Sequence, residues 1–189
     1  MGTSSIEQNL ENKRISKKKE VKNYNNDENK NLEKKFNTNK PQQNYQQKML
    51  ECHNKYRKRH CAHNINLTNE LSHMAKEYAK KLLESNSNFE QTNFNFYNGE
   101  TLGENIFFSD KKENEEYICK YWYDENSKYN YEKNSFQKNT NHFTQIVWNS
   151  TTEVGFGYYN IGEKFCYVAL YFPQGNIFGK FRENVKKAK

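Results

Sequence analysis

Apolar residues follow two rhythms along this chain, and each change of rhythm marks an element. After Pro41, residues Tyr45, Met49, Cys52 and Tyr56 recur every three or four positions, which places them on one face of a helix. A second helix is predicted from Thr68, whose side chain can accept from a helix N-terminus. Its stripe is Leu71, Met74, Ala75, Tyr78 and Leu82, with Lys76, Lys80 and Lys81 left for solvent. Ser85 to Leu102 is polar, Asn-rich and aperiodic, with a turn signal at Asn98-Gly99, and reads as a long loop of the kind that lines sites. Asn105 to Phe108 reads as a short strand. Asp110 and Glu113 then form a capping box for a third helix carrying Ile118, Tyr121, Trp122 and Glu125 on one face. Val154 to Tyr159 and Phe165 to Phe172, joined at Gly162, read as paired antiparallel strands of an α+β chain.

Composition sets the first 40 residues apart. They hold ten basic and six acidic residues, +4 of the chain's formal +7, and too few apolar side chains to offset the entropy of ordering. A disordered Asn/Lys-rich tail over 1–40 and one domain over 41–189 are expected. The domain carries only +3, which argues against nucleic acid as a partner. Tyr and Phe supply a core where aliphatic residues are few. No apolar run is long enough to span a membrane, and the N-terminus lacks the apolar segment of a secretory signal. Four scattered cysteines, Cys52, Cys61, Cys119 and Cys166, fit reduced thiols. In an oxidising compartment Cys52 and Cys61 would be a candidate pair, and the sequons at Asn66 and Asn149 would matter. An intracellular location is expected, in the cytoplasm or on the cytosolic face of a membrane, with an extracellular one as the alternative.

The densest chemistry lies in His142-Phe143-Thr144-Gln145-Ile146-Val147-Trp148, where a titratable ring and an amide stand against three large apolar residues. Three more islands accompany it: His53-Asn54-Lys55-Tyr56-Arg57, Gly103-Glu104-Asn105-Ile106-Phe107, and Tyr171-Phe172-Pro173-Gln174-Gly175-Asn176. Taken in order, the four closely resemble the motifs of the CAP superfamily, also called the SCP domain, of cysteine-rich secretory, antigen 5 and pathogenesis-related proteins. The likeness covers about Pro41 to the C-terminus. Ala169 stands where secreted members usually place a cysteine, so the chain is most similar to the intracellular Golgi-associated plant pathogenesis-related branch.

The resemblance implies a three-layer α-β-α sandwich with a central antiparallel sheet and a cleft holding two histidines and two glutamates. The family's glutamates fall on Glu104 and Glu125, and one histidine falls on His142. Its other histidine has no counterpart in Ser85 to Leu102, where asparagines such as Asn93 and Asn95 stand instead. Glu125 continues an apolar stripe and needs a partner, because an unpaired buried charge costs several kcal/mol; His142 is the expected one. Two carboxylates beside His142 would favour its charged form. No Ser or Cys nucleophile is tied to this group by a motif, so a structural polar network is favoured over a catalytic centre. With one cleft histidine missing, no cofactor and no tight zinc site are expected, and His142 would be the lone imidazole of a weak one. A rival metal cluster of Cys52, His53, His60, Cys61 and His63 matches no paired-ligand spacing and is read as structural. Pro173 and Gly175 read as architectural, a strand end and a turn.

Met1-Gly2-Thr3-Ser4-Ser5 opens like an N-myristoylation signal, although Ile6 stands where Ser or Thr is favoured. Gly2 is the candidate lipidation site. Lys17-Lys18-Lys19, with Arg14 and Lys22, would add about 1 kcal/mol per basic residue near an anionic leaflet. The expected function is that of a non-enzymatic CAP-domain protein, peripherally membrane-associated, whose partners are anionic membrane lipids or a sterol. The alternatives are a hydrolase or protease using His142 with Glu104 or Glu125, and a protein-interaction module, with a homodimer as its simplest form.

Overall fold

In the computed structural model, which describes residues 41–85 and 96–189, the helical stripes and strand runs become three layers. Helix α1 covers residues 41–59 and buries Tyr45, Met49 and Tyr56. A two-residue strand, β1 (Asn66–Leu67), leads into α2 (Asn69–Glu84). Thr68 caps α2 as expected, its side chain accepting from the Leu71 N–H. β2 (Phe96–Tyr97) and β3 (Glu100–Thr101) form a small hairpin, so the end of the segment read as loop is ordered strand. Its turn residues Asn98 and Gly99 both have positive φ, 50° and 81°, as two-residue hairpin turns require. The tail over 1–40, with Gly2 and its lysine run, and Asn93 and Asn95 lie outside the described residues.

Next come β4 (Gly103–Ser109), α3 (Glu115–Tyr123), a 3₁₀ turn over Asp124–Lys128, α4 (Asn141–Ile146), β5 (Glu153–Ile161), β6 (Lys164–Phe172) and α5 (Phe181–Asn184). Two expectations are corrected here. The cap of α3 is Asn114, whose Oδ1 accepts from the Tyr117 N–H at 2.8 Å, and not the Asp110–Glu113 box. The Glu113 N–H is already committed to the Tyr167 hydroxyl at 2.8 Å, which ties that residue to the sheet. Tyr121 turns outward and packs on Phe107 at 4.8 Å between ring centroids, leaving Ile118, Cys119 and Trp122 to carry the buried stripe.

The main sheet runs β1-β5-β6-β4, antiparallel through its three long strands, with β1 a short parallel edge. Alternation along β6 builds the layers. Cys166, Val168 and Leu170 pack with α2, while Tyr167, Ala169 and Tyr171 pack with α1, α3 and α4. Both faces being covered, the strand is nearly all apolar. On the α2 side the helix comes close to β5: a Cβ at Gly157 would stand 2.2 Å from the Lys76 backbone nitrogen, so only glycine fits. β6 ends at a cis Phe172–Pro173 bond.

One buried cation fastens α1 to the segments around α4. The Arg57 guanidinium donates to four backbone carbonyls, His63 at 2.7 Å, Ile146 at 2.9 Å, and Trp148 and Thr151 each at 2.8 Å. Burial pulls its pKa down to about 10, so it stays charged at neutral pH. Arg57→Leu strands the His63, Ile146 and Thr151 carbonyls, while Trp148 keeps the Thr151 N–H at 3.2 Å, and is expected to lower unfolding free energy in urea by at least about 3 kcal/mol. Arg57→Lys recovers only part of that, because one ammonium lacks the planar fork. A loss below about 1 kcal/mol for the leucine variant would show that water or other donors replace the guanidinium.

Candidate functional site

The 3₁₀ turn after α3 swings Glu125 across to the start of α4, where it meets His142. Oε1 lies 2.7 Å from the ring Nδ1, and Oε2 accepts from the backbone N–H groups of His142 at 2.8 Å and Phe143 at 3.1 Å. Helix N-termini leave N–H groups unpaired, and Thr140, the residue before α4, makes no side-chain cap. Glu125 supplies that cap from outside the helix. Burial pushes its carboxyl upward, but the ring hydrogen bond, the ring's charge and the two N–H groups outweigh it and hold its pKa below the usual range. Trp122 stacks on the ring at 6.3 Å and 22°. With Nδ1 turned to Glu125, Nε2 has no partner among the described residues, and the side chain is 24% exposed. A ring oriented by a carboxylate, with its other nitrogen open, can accept or deliver a proton at Nε2.

The expected convergence of three groups is only partly met. Glu125 and His142 come together, but Glu104 does not join them. Along β4, Asn105 turns toward α4 while Glu104, paired with Leu170, turns toward α2. There burial raises the Glu104 pKa against a hydrogen bond from Tyr78 that lowers it. The period of two in a strand sends neighbouring residues to opposite faces, so the motif's Glu and Asn serve different layers.

Asn105 is the residue that sequence reasoning missed. Its Nδ2 donates to the His142 carbonyl and to the Tyr171 hydroxyl, each at 3.1 Å. Tyr171 lies 2.8 Å from His53 Nε2, and His53 Nδ1 lies 2.8 Å from the Met49 carbonyl. A carbonyl can only accept, so Nδ1 carries the proton, Nε2 accepts from Tyr171, and His53 is neutral. Burial lowers its pKa to about 3. Gln145 closes the same region: the Gly175 N–H donates to its Oε1 at 2.9 Å, and a Cβ at Gly103 would stand 2.1 Å from that oxygen. The four islands thus meet around α4. Their legible signal was polar residues and glycines recurring inside otherwise apolar runs.

The rival cluster does not assemble. His53 is used as above, His60 binds the Lys186 carbonyl at 2.6 Å and the Tyr123 hydroxyl at 2.9 Å, and His63 faces Asn149. Among the described residues no three His, Cys, Asp or Glu side chains are grouped to hold a metal.

Two acid-dependent outcomes follow. The lowered Glu125 carboxyl stabilises the fold above the unfolded carboxylate pKa, about 4.3, and that contribution is lost as pH falls through the folded value. In urea titrations the stability gap between wild type and Glu125→Gln is therefore larger at about pH 6 than at about pH 3; an unchanged gap would contradict the ion-paired geometry. The native state keeps His53 neutral down to about pH 3, while the unfolded chain protonates it near 6.5. Wild-type stability accordingly declines as pH drops below about 6.5, and a profile flat to about pH 4 would mean that His53 is not buried neutral.

The family model described as CAP, the cysteine-rich secretory protein family, matches residues 50–172. Golgi-associated plant pathogenesis-related protein 1 of Homo sapiens is 29% identical over 144 residues, covering 75% of this chain and 92% of that protein. Repressed by EFG1 protein 1 of Candida albicans is 30% identical over 143 residues, covering 71% of this chain and 48% of that longer protein. The structure of Schistosoma mansoni venom allergen-like protein 4 superposes with a TM-score of 0.61 at 25% identity, covering 76% of this chain and 94% of that one. With its motifs gathered around α4 in an α-β-α sandwich, the chain belongs to the CAP family.

Proposed function

We propose that this protein is a non-enzymatic CAP domain that docks on anionic membranes and takes up lipid or sterol. The observation that carries the reading is an apolar tip tied to the start of α4, which carries His142. Ile177 and Phe178 are exposed, Phe178 by 84%, and Phe136 stands out from the neighbouring loop. Asn134 joins the loops, donating to the Gly179 carbonyl at 3.2 Å and accepting from the Arg182 N–H at 2.7 Å. Asn176 ties the tip to α4 through the Asn141 carbonyl at 3.0 Å. Lys133, Lys138, Lys180 and Arg182 flank these aromatic residues in sequence. Apolar wedges among basic residues suit an interface in which rings enter the acyl boundary and ammonium groups meet phosphates.

An intracellular membrane face is part of the reading, supported by four free cysteines and by the Golgi association in the human relative's name. No helix among the described residues is long and apolar enough to cross a membrane, so attachment would be peripheral. The reading includes no resident zinc. Both Glu125 oxygens are already engaged and Glu104 is with Tyr78, which leaves too few donors for four-coordinate metal. Hydrolysis is the second reading, favoured by the open Nε2 of His142, with water as the nucleophile. Turnover of an ester or peptide library that vanishes in a folded His142→Ala variant would establish it.

Flotation on phosphatidylserine vesicles tests the membrane reading with wild type, a deletion of residues 1–40, Gly2→Ala, and Ile177→Ser combined with Phe178→Ser. Burying one large apolar side chain is worth about 1.5–3 kcal/mol, so the tip variant is expected to bind at least about tenfold more weakly. Equal binding by the tip variant, or none by wild type, would overturn it.

A further inference from the structure

Below the Lys48–Glu115 ion pair, 3.6 Å across α1 and α3, one helical turn along each helix leads to Cys52 and Cys119. Cys119 Sγ lies 3.6 Å from Nδ1 of His53, the residue next to Cys52, so the packing of α1 against α3 brings the two thiols to the same place. Their surroundings differ. Cys119 is fully buried in the core, whereas Cys52 opens on a cavity of about 380 Å³ whose rim carries Lys48, Lys55, Glu51, Glu115 and Glu116. Cys61, which the sequence offered as a partner for Cys52, is exposed past the end of α1.

We propose that Cys52 and Cys119 are a redox-active dithiol, in which Cys52 reacts with a small zwitterionic disulfide in the α1–α3 cavity and Cys119 resolves the adduct. The rim offers ammonium groups to carboxylates and carboxylates to an ammonium, which suits a charged thiol metabolite better than an apolar one. In the first step the Cys52 thiolate attacks one sulfur of the disulfide RSSR. The S–S bond breaks, RS⁻ leaves, and a Cys52–S–S–R mixed disulfide forms. In the second, Cys119 attacks Cys52 Sγ as its proton passes to the departing sulfur, which leaves as RSH, while the RS⁻ of the first step takes up the proton that Cys52 shed to solvent. The two cysteines lose two electrons and two protons, and RSSR becomes two RSH. The order of attack follows from access, Cys52 lining the cavity and Cys119 being enclosed, and acidity runs the same way. The hydrogen bond from Cys119, and then Lys55, lower the Cys52 pKa against its own burial, whereas burial raises that of Cys119. An attacking sulfur that opens on the cavity, backed by one enclosed in the core, makes the exchange directional.

The full-length protein is incubated with glutathione disulfide, quenched with iodoacetamide and mapped by peptide mass spectrometry. Wild type is expected to form a Cys52–Cys119 disulfide with two hydrogens lost. Cys119→Ala, confirmed folded by circular dichroism, should instead hold glutathione on Cys52. Cys52→Ser should leave Cys119 unmodified. Removing the thiol donor also raises the Cys52 pKa, so iodoacetamide should label Cys52 more slowly in Cys119→Ala than in wild type. The proposal is overturned if Cys52 stays reduced while Cys61 takes up glutathione, if Cys52 pairs with Cys61, or if the mixed disulfide persists in wild type with Cys119 unconsumed.

Discussion

The arrangement around the site depends on a buried cation held without a carboxylate. Arg57 projects from α1 into a ring of backbone carbonyls, and two of them, Ile146 and Trp148, belong to the C-terminal end of α4 and the turn beyond it. The Ile146 carbonyl is one that a helix leaves without an internal donor, and the Trp148 carbonyl, in the turn beyond, also accepts from the Thr151 N–H at 3.2 Å. At its other end α4 is capped by Glu125, a carboxylate on the N–H groups that a helix leaves without acceptors. A six-residue helix is far below the length that holds in water by itself. Here it is clamped by an anion at its positive end and a cation at its negative end, both in the sense favoured by the helix dipole. The position of His142 is therefore a consequence of charges placed on two other helical segments.

Behind this clamp runs a line of buried polar groups whose directions are set by one carbonyl. Met49 O must accept, which makes His53 Nδ1 a donor, Tyr171 a donor to Nε2, and Asn105 a donor to Tyr171 and to the His142 carbonyl. Each link is worth little in net stability, but removing one leaves the next buried and unpaired, so the chain holds α1, β6, β4 and α4 in one register. Two atoms beside it, Asn105 Oδ1 and Trp122 Nε1, are buried without partners among the described residues.

The helices on one side of the sheet thus frame two surfaces of different chemistry. At the α4 end, a carboxylate-oriented imidazole lies near a tip of exposed apolar residues, Phe136, Ile177 and Phe178. Between α1 and α3, a mixed-charge cavity meets a pair of thiols in unequal surroundings. Both arise because α1 and α3 pack along their length through Tyr45, Met49, Ile118 and Trp122, while polar residues gather at the margins of that contact.

Much of this was written in local sequence. The helix stripes, the Thr68 cap and the Asn98-Gly99 turn depend on residues within a few positions of one another, and there spacing alone decides which face a side chain takes. The Glu125–His142 pair was also legible, since a carboxylate continuing an apolar stripe must find a partner. What tertiary structure decided was which residues share a layer. Glu104 and Asn105 are adjacent in the chain, yet the strand pleat sends one to Tyr78 and the other to the His142 backbone. Cys52 met Cys119 and not the nearer Cys61 because helix packing sets that distance. Arg57 likewise found carbonyls rather than carboxylates, and nothing in its neighbours along the chain encodes that. Periodicity acts over one or two turns, whereas partners across layers are fixed only when the whole core closes and each buried polar group must take the acceptor it then faces.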